Sequence, residues 1–336
     1  MYESHFGLRE RPFHAAPDGD CYYPATSHER ALARLLQALQ DDQGLALVTG
    51  EPGTGKTLLC HRLLERLGPD VTSAFLTNSH FRDRAGLLQA ILYDLSQPYA
   101  GMREQELRLA LTDFLLRNYA DGKRAVILVD EAQHLTPDLL EELRLLGNLE
   151  ARQGKALQVV LLGQPALAET LQRPELAAFC QRLAVRIHLE SLSVHEAADY
   201  LVHHLRAAGG KPEKMLSDEA LEVLARGSQG VPRLLNQAAH QALCLVSEAD
   251  GDTVDAEAAL EALTTLGLST ENTLKEEAVL APLSGPSKTA GEETASAIEE
   301  SAHATTDDND VGSSRMDLSE EGRRHRRLFA PPRRSA

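Results

Sequence analysis

A glycine-rich loop near residue 50 constrains the fold of this chain more than any other feature. Residues 50–57 read Gly-Glu-Pro-Gly-Thr-Gly-Lys-Thr, the complete pattern G-x-x-x-x-G-K-[ST]. They follow the apolar run Leu45–Val48 and precede a helical pattern that begins at Leu58. This motif needs a strand, a tight turn and a helix N-terminus in that order, because backbone N–H groups and the helix dipole bind phosphate together. The sequence therefore predicts an α/β fold with a nucleoside triphosphate site.

The positions of this phosphate loop have separate predicted contacts. Lys56 is expected to reach the β- and γ-phosphates, and the Thr57 hydroxyl is expected to bind Mg²⁺. The residues expected to surround the nucleotide are Gly50, Glu51, Pro52, Gly53, Thr54, Gly55, Lys56, Thr57 and Leu58. The alternative, a glycine-rich turn with a chance lysine, is disfavoured because the flanking strand and helix patterns match the context that the motif requires.

Composition limits the other classes of function. The 336-residue chain has a formal net charge of −16, which disfavours a protein that coats nucleic acid by bulk electrostatics but leaves room for a local basic patch. Four widely spaced cysteines predict free thiols in a reducing compartment rather than disulfides or a zinc site. The N-terminus has no signal-peptide pattern, and no uncharged apolar run approaches the ~20 residues that cross a bilayer. We therefore expect a cytoplasmic protein without a transmembrane segment.

Strand and helix patterns alternate over the first 190 residues. Five apolar runs are typical of strands, namely Leu45–Thr49, Val71–Thr77, Ala125–Asp130, Leu157–Leu162 and Val185–Leu189. Helical patterns between them, namely Ala85–Leu95, Glu104–Tyr119 and Asp138–Ala151, predict a five-stranded parallel sheet with helices on both faces. After Glu190 only helical patterns follow, at 194–207, 218–227, 233–248 and 255–266. We predict an α/β domain over residues 1–190 and a small all-helical domain over residues 191–268.

Two four-residue patterns indicate where helices start. Thr26–Glu29 and Ser193–Glu196 both match a capping box.

The last 68 residues differ in composition from the rest of the chain. Residues 269–336 contain few large apolar side chains and are predicted to be a disordered tail, acidic first and basic at its end. The arginines of 323–327 and 333–334 either contact nucleic acid, acidic lipid or the acidic stretch, or belong to a solvated tail.

Two later strand ends carry polar side chains suited to phosphate chemistry. Asp130 and Glu131 follow a buried strand, so Asp130 is expected to hold Mg²⁺ and Glu131 to deprotonate the attacking water. The alternative is a strand followed by an ordinary polar turn. Gln164 ends the next strand, where its amide either contacts the γ-phosphate and the water or caps the helix that Pro165 starts.

These motifs together resemble an AAA+ ATPase. The ordered set is Gly50–Thr57, Asp130–Gln133, Gln164 and Gly230–Arg233. The N-terminal Tyr2…Phe6-Gly7-Leu8…Pro12-Phe13 and the segment Leu162–Pro165 resemble the bacterial general secretion pathway protein A family, the ExeA-like group. The resemblance spans about residues 1–265. It implies an ATP- and Mg²⁺-dependent, oligomeric P-loop ATPase whose nucleotide lies between neighbouring subunits and under a helical lid.

The resemblance also implies roles for three residues beyond Lys56 and Glu131. Gln164 takes the sensor 1 position and Arg233 the sensor 2 position, although a lid-surface ion pair is the alternative for Arg233. Arg182 resembles the arginine finger that completes a neighbour's site, with Arg173 and Arg186 as rival candidates.

The sequence departs from the family at two places. His134 stands where the family often has Asn, and it is interpreted as a surface turn residue, with a nucleotide sensor as the alternative. Members typically continue into a transmembrane helix and a peptidoglycan-binding domain, which this chain is expected to lack. Phe6, Phe13 and Tyr22 are expected either to line an adenine pocket or to pack in the core.

Three functions are compatible with these features. The first is an ATPase that couples nucleotide-dependent oligomerisation to the assembly or remodelling of a partner complex, of the secretion or pilus type. The second is a nucleotide-switched, DNA-associated regulator that resembles the AAA+ subunits of transposition systems. The third is an ATP-binding scaffold with slow hydrolysis. The protein client and the ring size do not follow from the sequence.

Overall fold

The structure, a computed structural model, describes residues 2–14, 21–151 and 154–268. The predicted tail, with its terminal arginines, lies outside the described residues. The strands are β1 Leu45–Gly50, β2 Val71–Leu76, β3 Arg124–Val129, β4 Glu150–Ala151, β5 Gly154–Lys155, β6 Leu157–Gly163 and β7 Leu183–Leu189. The helices are α1 Tyr2–His5, α2 Thr26–Gln40, α3 Lys56–Arg66, α4 Arg84–Asp94, α5 Glu104–Ala120, α6 Pro137–Leu146, α7 Pro165–Leu171, α8 Ala177–Arg182, α9 Val194–Ala207, α10 Pro212–Met215, α11 Asp218–Gly227, α12 Pro232–Glu248 and α13 Ala256–Thr265.

Five strands form the parallel sheet that the sequence predicts. Their order is β2-β3-β6-β1-β7, and every neighbouring pair is parallel. Parallel pairing places the carboxyl ends of β1, β3 and β6 at one edge, because Thr49 pairs with Gly163 and Val129 pairs with Leu161. Connections between parallel strands must cross over the sheet, which is why helices separate these strands along the chain.

Each face of the sheet carries its own apolar core. Side chains alternate across a strand, so Leu45 and Leu47 of β1 face one core while Ala46 and Val48 face the other. The first core includes α4, α5, α6 and α7, with buried residues such as Leu87, Leu111, Leu140 and Leu167. The second core includes α2 and α3, with buried residues such as Leu32, Leu35, Leu59 and Leu63. Helices therefore cover both faces, as predicted.

A third core belongs to the helices after Glu190. Their apolar faces meet around Leu201, Leu224, Leu235 and Leu243, and α1 joins them through the buried Tyr2. Ser193 caps α9 as predicted, since its hydroxyl accepts from Glu196 N at 3.2 Å while Glu196 Oε2 accepts from Ser193 N. Among the described residues, none of the helices is long and apolar enough to cross a membrane.

Two local predictions are wrong. The helix predicted over Asp138–Ala151 ends at Leu146, where Gly147 closes the last turn, and β4 and β5 then pair as a short antiparallel ladder. The capping box at Thr26 is not formed either. Ala25 is the N-cap residue, and Thr26 N instead donates to Glu196 Oε1 at 3.1 Å, a contact 170 residues away in sequence. Long-range contacts replaced the local motif there.

Two leucines of α5 provide a test of this packing. Leu111 is fully buried against the sheet, whereas Leu109 is 59% exposed on the same helix. We expect Leu111→Ala to lower the free energy of unfolding by about 2–5 kcal/mol, because a cavity replaces buried methyl groups. Leu109→Ala is the matched control, with an expected change below about 0.5 kcal/mol. Urea unfolding of both variants measures the difference, and equal effects would contradict the described packing.

Candidate functional site

The phosphate loop lies at the carboxyl edge of the sheet, between β1 and α3. Gly53 and Gly55 adopt the left-handed conformation, with φ of 88° and 97°, which lets the backbone turn sharply before the helix begins at Lys56. A helix N-terminus and its preceding backbone amides form a site for anions, and α3 is long enough to supply the helix dipole. The loop residues thus have the arrangement that the sequence predicts.

Lys56 lies beneath the loop rather than on its surface. Its side chain is buried, and Nζ donates to the carbonyl oxygens of Gly50 at 2.9 Å and Glu51 at 3.0 Å. Burial lowers the pKa of Lys56 from its ordinary value, while the nearby carboxylates of Glu131 and Asp130 act in the opposite direction. The ammonium group is therefore close to both acidic residues that follow β3.

Thr57 and Asp130 are joined by a short hydrogen bond. The Thr57 hydroxyl donates to Asp130 Oδ2 at 2.5 Å, and Asp130 is 3% exposed. Asp130 is also held through both its side chain and its backbone, since Glu131 N donates to Oδ1 at 2.9 Å and the Ser79 hydroxyl donates to the Asp130 backbone carbonyl. A serine at this position was not predicted, because only the pairing of β2 with β3 brings it near.

This pair of oxygens fits Mg²⁺. Magnesium prefers hard oxygen ligands and usually takes only one or two from the protein, with phosphate and water supplying the rest. In the described part of the chain, no cluster of three or more His, Cys, Asp or Glu side chains is placed to hold a metal. The oxygens of the predicted ligands Thr57 and Asp130 therefore suit a Mg²⁺ that is shared with phosphate.

Glu131, Gln133 and Gln164 are linked by one side-chain amide. Gln133 Nε2 donates to Glu131 Oε2 at 2.5 Å, and Gln133 Oε1 accepts from the backbone N of Gln164 at 3.1 Å. Gln164 precedes α7, but its side chain makes no capping hydrogen bond, so the interpretation of Gln164 as an amide cap is wrong. The structure thus brings Gln164 to the same sheet edge as Glu131.

The segment Gly230–Arg233 contacts the phosphate loop. Gly230 has a φ of 65°, and a Cβ there would lie 1.8 Å from the Leu192 carbonyl oxygen, so only glycine fits. Pro232 then starts α12, and Arg233 N donates to the Gly53 carbonyl at 3.3 Å. Among the described residues, the exposed Arg233 side chain forms no ion pair.

Arg182 is not part of this cluster. It ends α8 and immediately precedes β7, whose first residue Leu183 pairs with Leu45 at the amino end of β1. Arg182 is therefore at the edge of the sheet opposite the phosphate loop of its own chain. The two rival arginines both contact side chains of their own chain. Arg186 Nη2 donates to Cys180 Sγ at 2.8 Å, and Arg173 Nη1 lies 3.9 Å from Glu175 Oε1.

A cavity of about 110 Å³ adjoins the loop, between the sheet and the helices after Glu190. It is lined by Tyr22, Thr54, Leu58 and Arg233, among others. Tyr22 therefore lines a cavity beside the phosphate loop, and its hydroxyl donates to Glu29 Oε1 at 2.9 Å. Phe13 instead is fully buried in the third core, and Phe6 packs against that core.

His28 is a site residue that sequence reasoning missed. It lies on α2, is 6% exposed, and its Nε2 donates to the Thr54 carbonyl at 2.8 Å, because that oxygen can only accept. It also lines the cavity. No local signal marks His28, since it meets the loop only through the packing of α2 against β7 and α3.

Comparisons with known proteins agree with this geometry. An AAA domain family model matches residues 39–171. General secretion pathway protein A of Aeromonas hydrophila is 43% identical over 246 residues, which are 72% of this chain and 44% of that relative. The chain therefore spans less than half of the relative's length.

Two solved structures share the fold. The ORC2 protein of Aeropyrum pernix, solved as ADPNP-ADP complexes, is 18% identical with a TM-score of 0.56, over 70% of this chain and 66% of that one. CDC6P of Pyrobaculum aerophilum is 18% identical with a TM-score of 0.57, over 73% of this chain and 70% of that one. The phosphate loop, the acidic strand end and these similarities lead to one assignment: the chain belongs to the AAA+ P-loop ATPases and, within them, to the family of general secretion pathway protein A.

Proposed function

We propose that this chain binds ATP and hydrolyses it to ADP and phosphate. The observation that carries the proposal is the convergence of Lys56, the Thr57–Asp130 pair and Glu131 at one edge of the sheet. Backbone N–H groups at the start of α3 are suited to the phosphate oxygens, and Lys56 supplies a fixed positive charge beneath them. Asp130 with Thr57 would hold Mg²⁺, which neutralises developing charge on the phosphate oxygens when bound.

Glu131 is the proposed general base. It accepts a proton from the water that attacks the γ-phosphorus, as the bond to the β,γ-bridging oxygen breaks and ADP leaves. Gln164 and Arg233 are the proposed sensors of the γ-phosphate, one from the end of β6 and one from α12. Two observations support the sensor role of Arg233. Its backbone N–H contacts the Gly53 carbonyl in the phosphate loop, and its side chain has no hydrogen-bond or ion-pair partner among the described residues.

We further propose that the parallel sheet with its covering helices, within residues 1–190, acts as an α/β domain and the helices of residues 191–268 as a lid, with α1 packed on the lid side, and that the chain works as a homo-oligomer. Arg182 supports the oligomer, because its position at the far edge of the sheet prevents it from serving its own phosphate loop. Similarity to general secretion pathway protein A favours a partner complex of the secretion type as the client. A cytoplasmic location is proposed because ATP is the substrate.

The first test separates binding from hydrolysis. Lys56→Ala is expected to abolish ATP binding, whereas Glu131→Gln is expected to retain binding and to lose turnover by about 100-fold or more, since a general base contributes on that order. A fluorescent ATP analogue measures affinity, and phosphate release with Mg²⁺ measures turnover. The surface variants Lys123→Ala and Glu219→Gln are matched controls with unchanged behaviour. Wild-type turnover in Glu131→Gln would reject the assigned base.

The second test asks whether Arg182 acts on a neighbouring subunit. Arg182→Ala is expected to lower turnover by about 1,000-fold or more, the size of an arginine-finger effect. Mixing Arg182→Ala with Glu131→Gln is expected to restore part of the activity, because one subunit then supplies an intact site and the other an intact arginine. Arg173→Ala and Arg186→Ala are the comparison variants. No recovery in mixed oligomers would remove Arg182 from the neighbour's site.

The third test concerns the support of the loop by His28. Burial lowers the pKa of His28 from its ordinary value of about 6.5, with Thr54, Glu196 and Glu29 acting in the opposite direction. As the pH falls below that value, the unfolded chain binds a proton that the folded chain resists, so the free energy of unfolding decreases. Urea unfolding at pH 7.5 and 5.5 should show a smaller loss in His28→Gln, which keeps an N–H donor. Burial also lowers the pKa of the partly buried His240, so part of the pH dependence should persist in the variant.

A further inference from the structure

Gln133 is the residue that joins the two halves of the proposed catalytic edge. Its amide has two polar atoms: the nitrogen contacts Glu131 and the neighbouring His134, and the oxygen contacts Gln164. The nitrogen donates to the Glu131 carboxylate, and the oxygen accepts from the backbone N–H of Gln164. The side chain therefore spans from the end of β3 to the end of β6, which carry the proposed base and the proposed sensor.

Backbone conformation explains why Glu131 needs such a partner. Glu131 adopts the left-handed conformation, with φ of 51° and ψ of 36°, directly before a 3₁₀ turn over Ala132–His134. This conformation is disfavoured for residues other than glycine and persists only where surrounding contacts fix it. It turns the Glu131 side chain away from the line of β3, and the bond from Gln133 holds one carboxylate oxygen in that direction.

Neighbouring residues leave room for the amide. Gly163 is the last residue of β6, and a Cβ added there would lie 2.8 Å from Leu167 Cδ2 and 2.9 Å from Gln133 Oε1. A side chain at this position would therefore require the Leu167 side chain and the Gln133 amide to shift.

We propose that Gln133 is a positioning residue that holds the Glu131 carboxylate and couples its direction to the backbone of Gln164. The inference rests on the proposed hydrolysis and adds to it. When Gln164 shifts in response to the γ-phosphate, its backbone N–H moves the Gln133 amide oxygen to which it is hydrogen-bonded. Because the Gln133 amide is planar and rigid, its nitrogen then moves the Glu131 carboxylate. Gln133 itself does not touch the phosphate loop in the described residues: its bonds go to Glu131, His134 and Gln164.

Two variants separate the two contacts. Gln133→Ala removes both, whereas Gln133→Glu keeps an oxygen that accepts from Gln164 but replaces the donor to Glu131 by a like charge. Both are expected to lower kcat by at least about tenfold, because a misplaced catalytic group costs up to about 100-fold. Affinity for a fluorescent ATP analogue is expected to stay within about twofold, since the bonds of Lys56 and Thr57 remain.

Hydrogen exchange at the Gln164 amide provides a readout that does not depend on turnover. Exchange should be about five- to tenfold faster in Gln133→Ala, the size of one lost hydrogen bond, and near wild type in Gln133→Glu. Gln158→Ala is the control for general loss of stability. That amide is more buried, donates to the Leu39 carbonyl at 3.1 Å, and lies at the opposite end of β6. It should lower stability but leave kcat and the Gln164 amide unchanged.

Several outcomes would overturn the inference. If Gln133→Ala keeps wild-type kcat while Glu131→Gln loses it, the positioning role fails and the proposed hydrolysis stands. If Gln164 exchanges equally fast in wild type and Gln133→Ala, the coupling fails. If the wild-type chain shows no turnover under any condition, the proposed function and the positioning role both fail, and the exchange experiment alone reports whether the amide bridge exists.

Discussion

The hydrogen bond between Thr57 and Asp130 depends on the register of the whole sheet. Thr57 begins α3 after β1, while Asp130 follows β3, and β6 lies between these strands. A contact of 2.5 Å across that gap requires all three strands to end at one level. A slip of one residue in either pairing would move the carboxylate by about 3.3 Å and reverse its face, since strand side chains alternate. The site is therefore a consequence of parallel register rather than of the loop alone.

The same edge also receives the helices that follow Glu190. Gly230 passes so close to Leu192 that a side chain there is impossible, and this close approach directs α12 toward the loop. The result is a backbone contact between Arg233 and Gly53. Burial is the main cause of the lowered pKa of Lys56, and repulsion from Arg233 adds to it, whereas the carboxylates of Glu131, Asp130 and Glu51 act in the opposite direction. The edge therefore carries both signs of charge, with two cations suited to phosphate oxygens and carboxylates suited to a bound cation.

Much of this arrangement could be predicted from the sequence, because its signals are local. The phosphate loop, the acidic end of β3 and all five long strands follow from residue patterns within short windows. What could not be predicted depends on contacts between distant segments. Thr26 shows why: its local pattern matches a capping box, but its N–H meets Glu196 instead. His28 and Ser79 likewise have no motif of their own, and only the packing of α2 and the pairing of β2 with β3 bring them to the site. Gln133 belongs to the Asp130–Gln133 motif, but its contact with the Gln164 backbone depends on the order of the strands.

Sheet topology also divides the proposed catalytic residues into two groups. Lys56, Glu131 and Gln164 lie at the carboxyl edge, whereas Arg182 lies at the amino edge beside the start of β7. No side-chain movement within one subunit could bring these groups together, because the length of a six-residue strand, about 20 Å, separates the two edges. An arginine in this position acts on phosphate only if a second chain presents its amino edge to the first chain's loop. Head-to-tail contact of that kind uses two different surfaces, so it generates a ring or a helical filament rather than a closed two-fold dimer. The proposed role of Gln133 also matters for such an assembly. A site that receives Arg182 from the neighbouring chain would hydrolyse ATP only if the Glu131 carboxylate pointed toward the attacking water, and Gln133 holds that carboxylate.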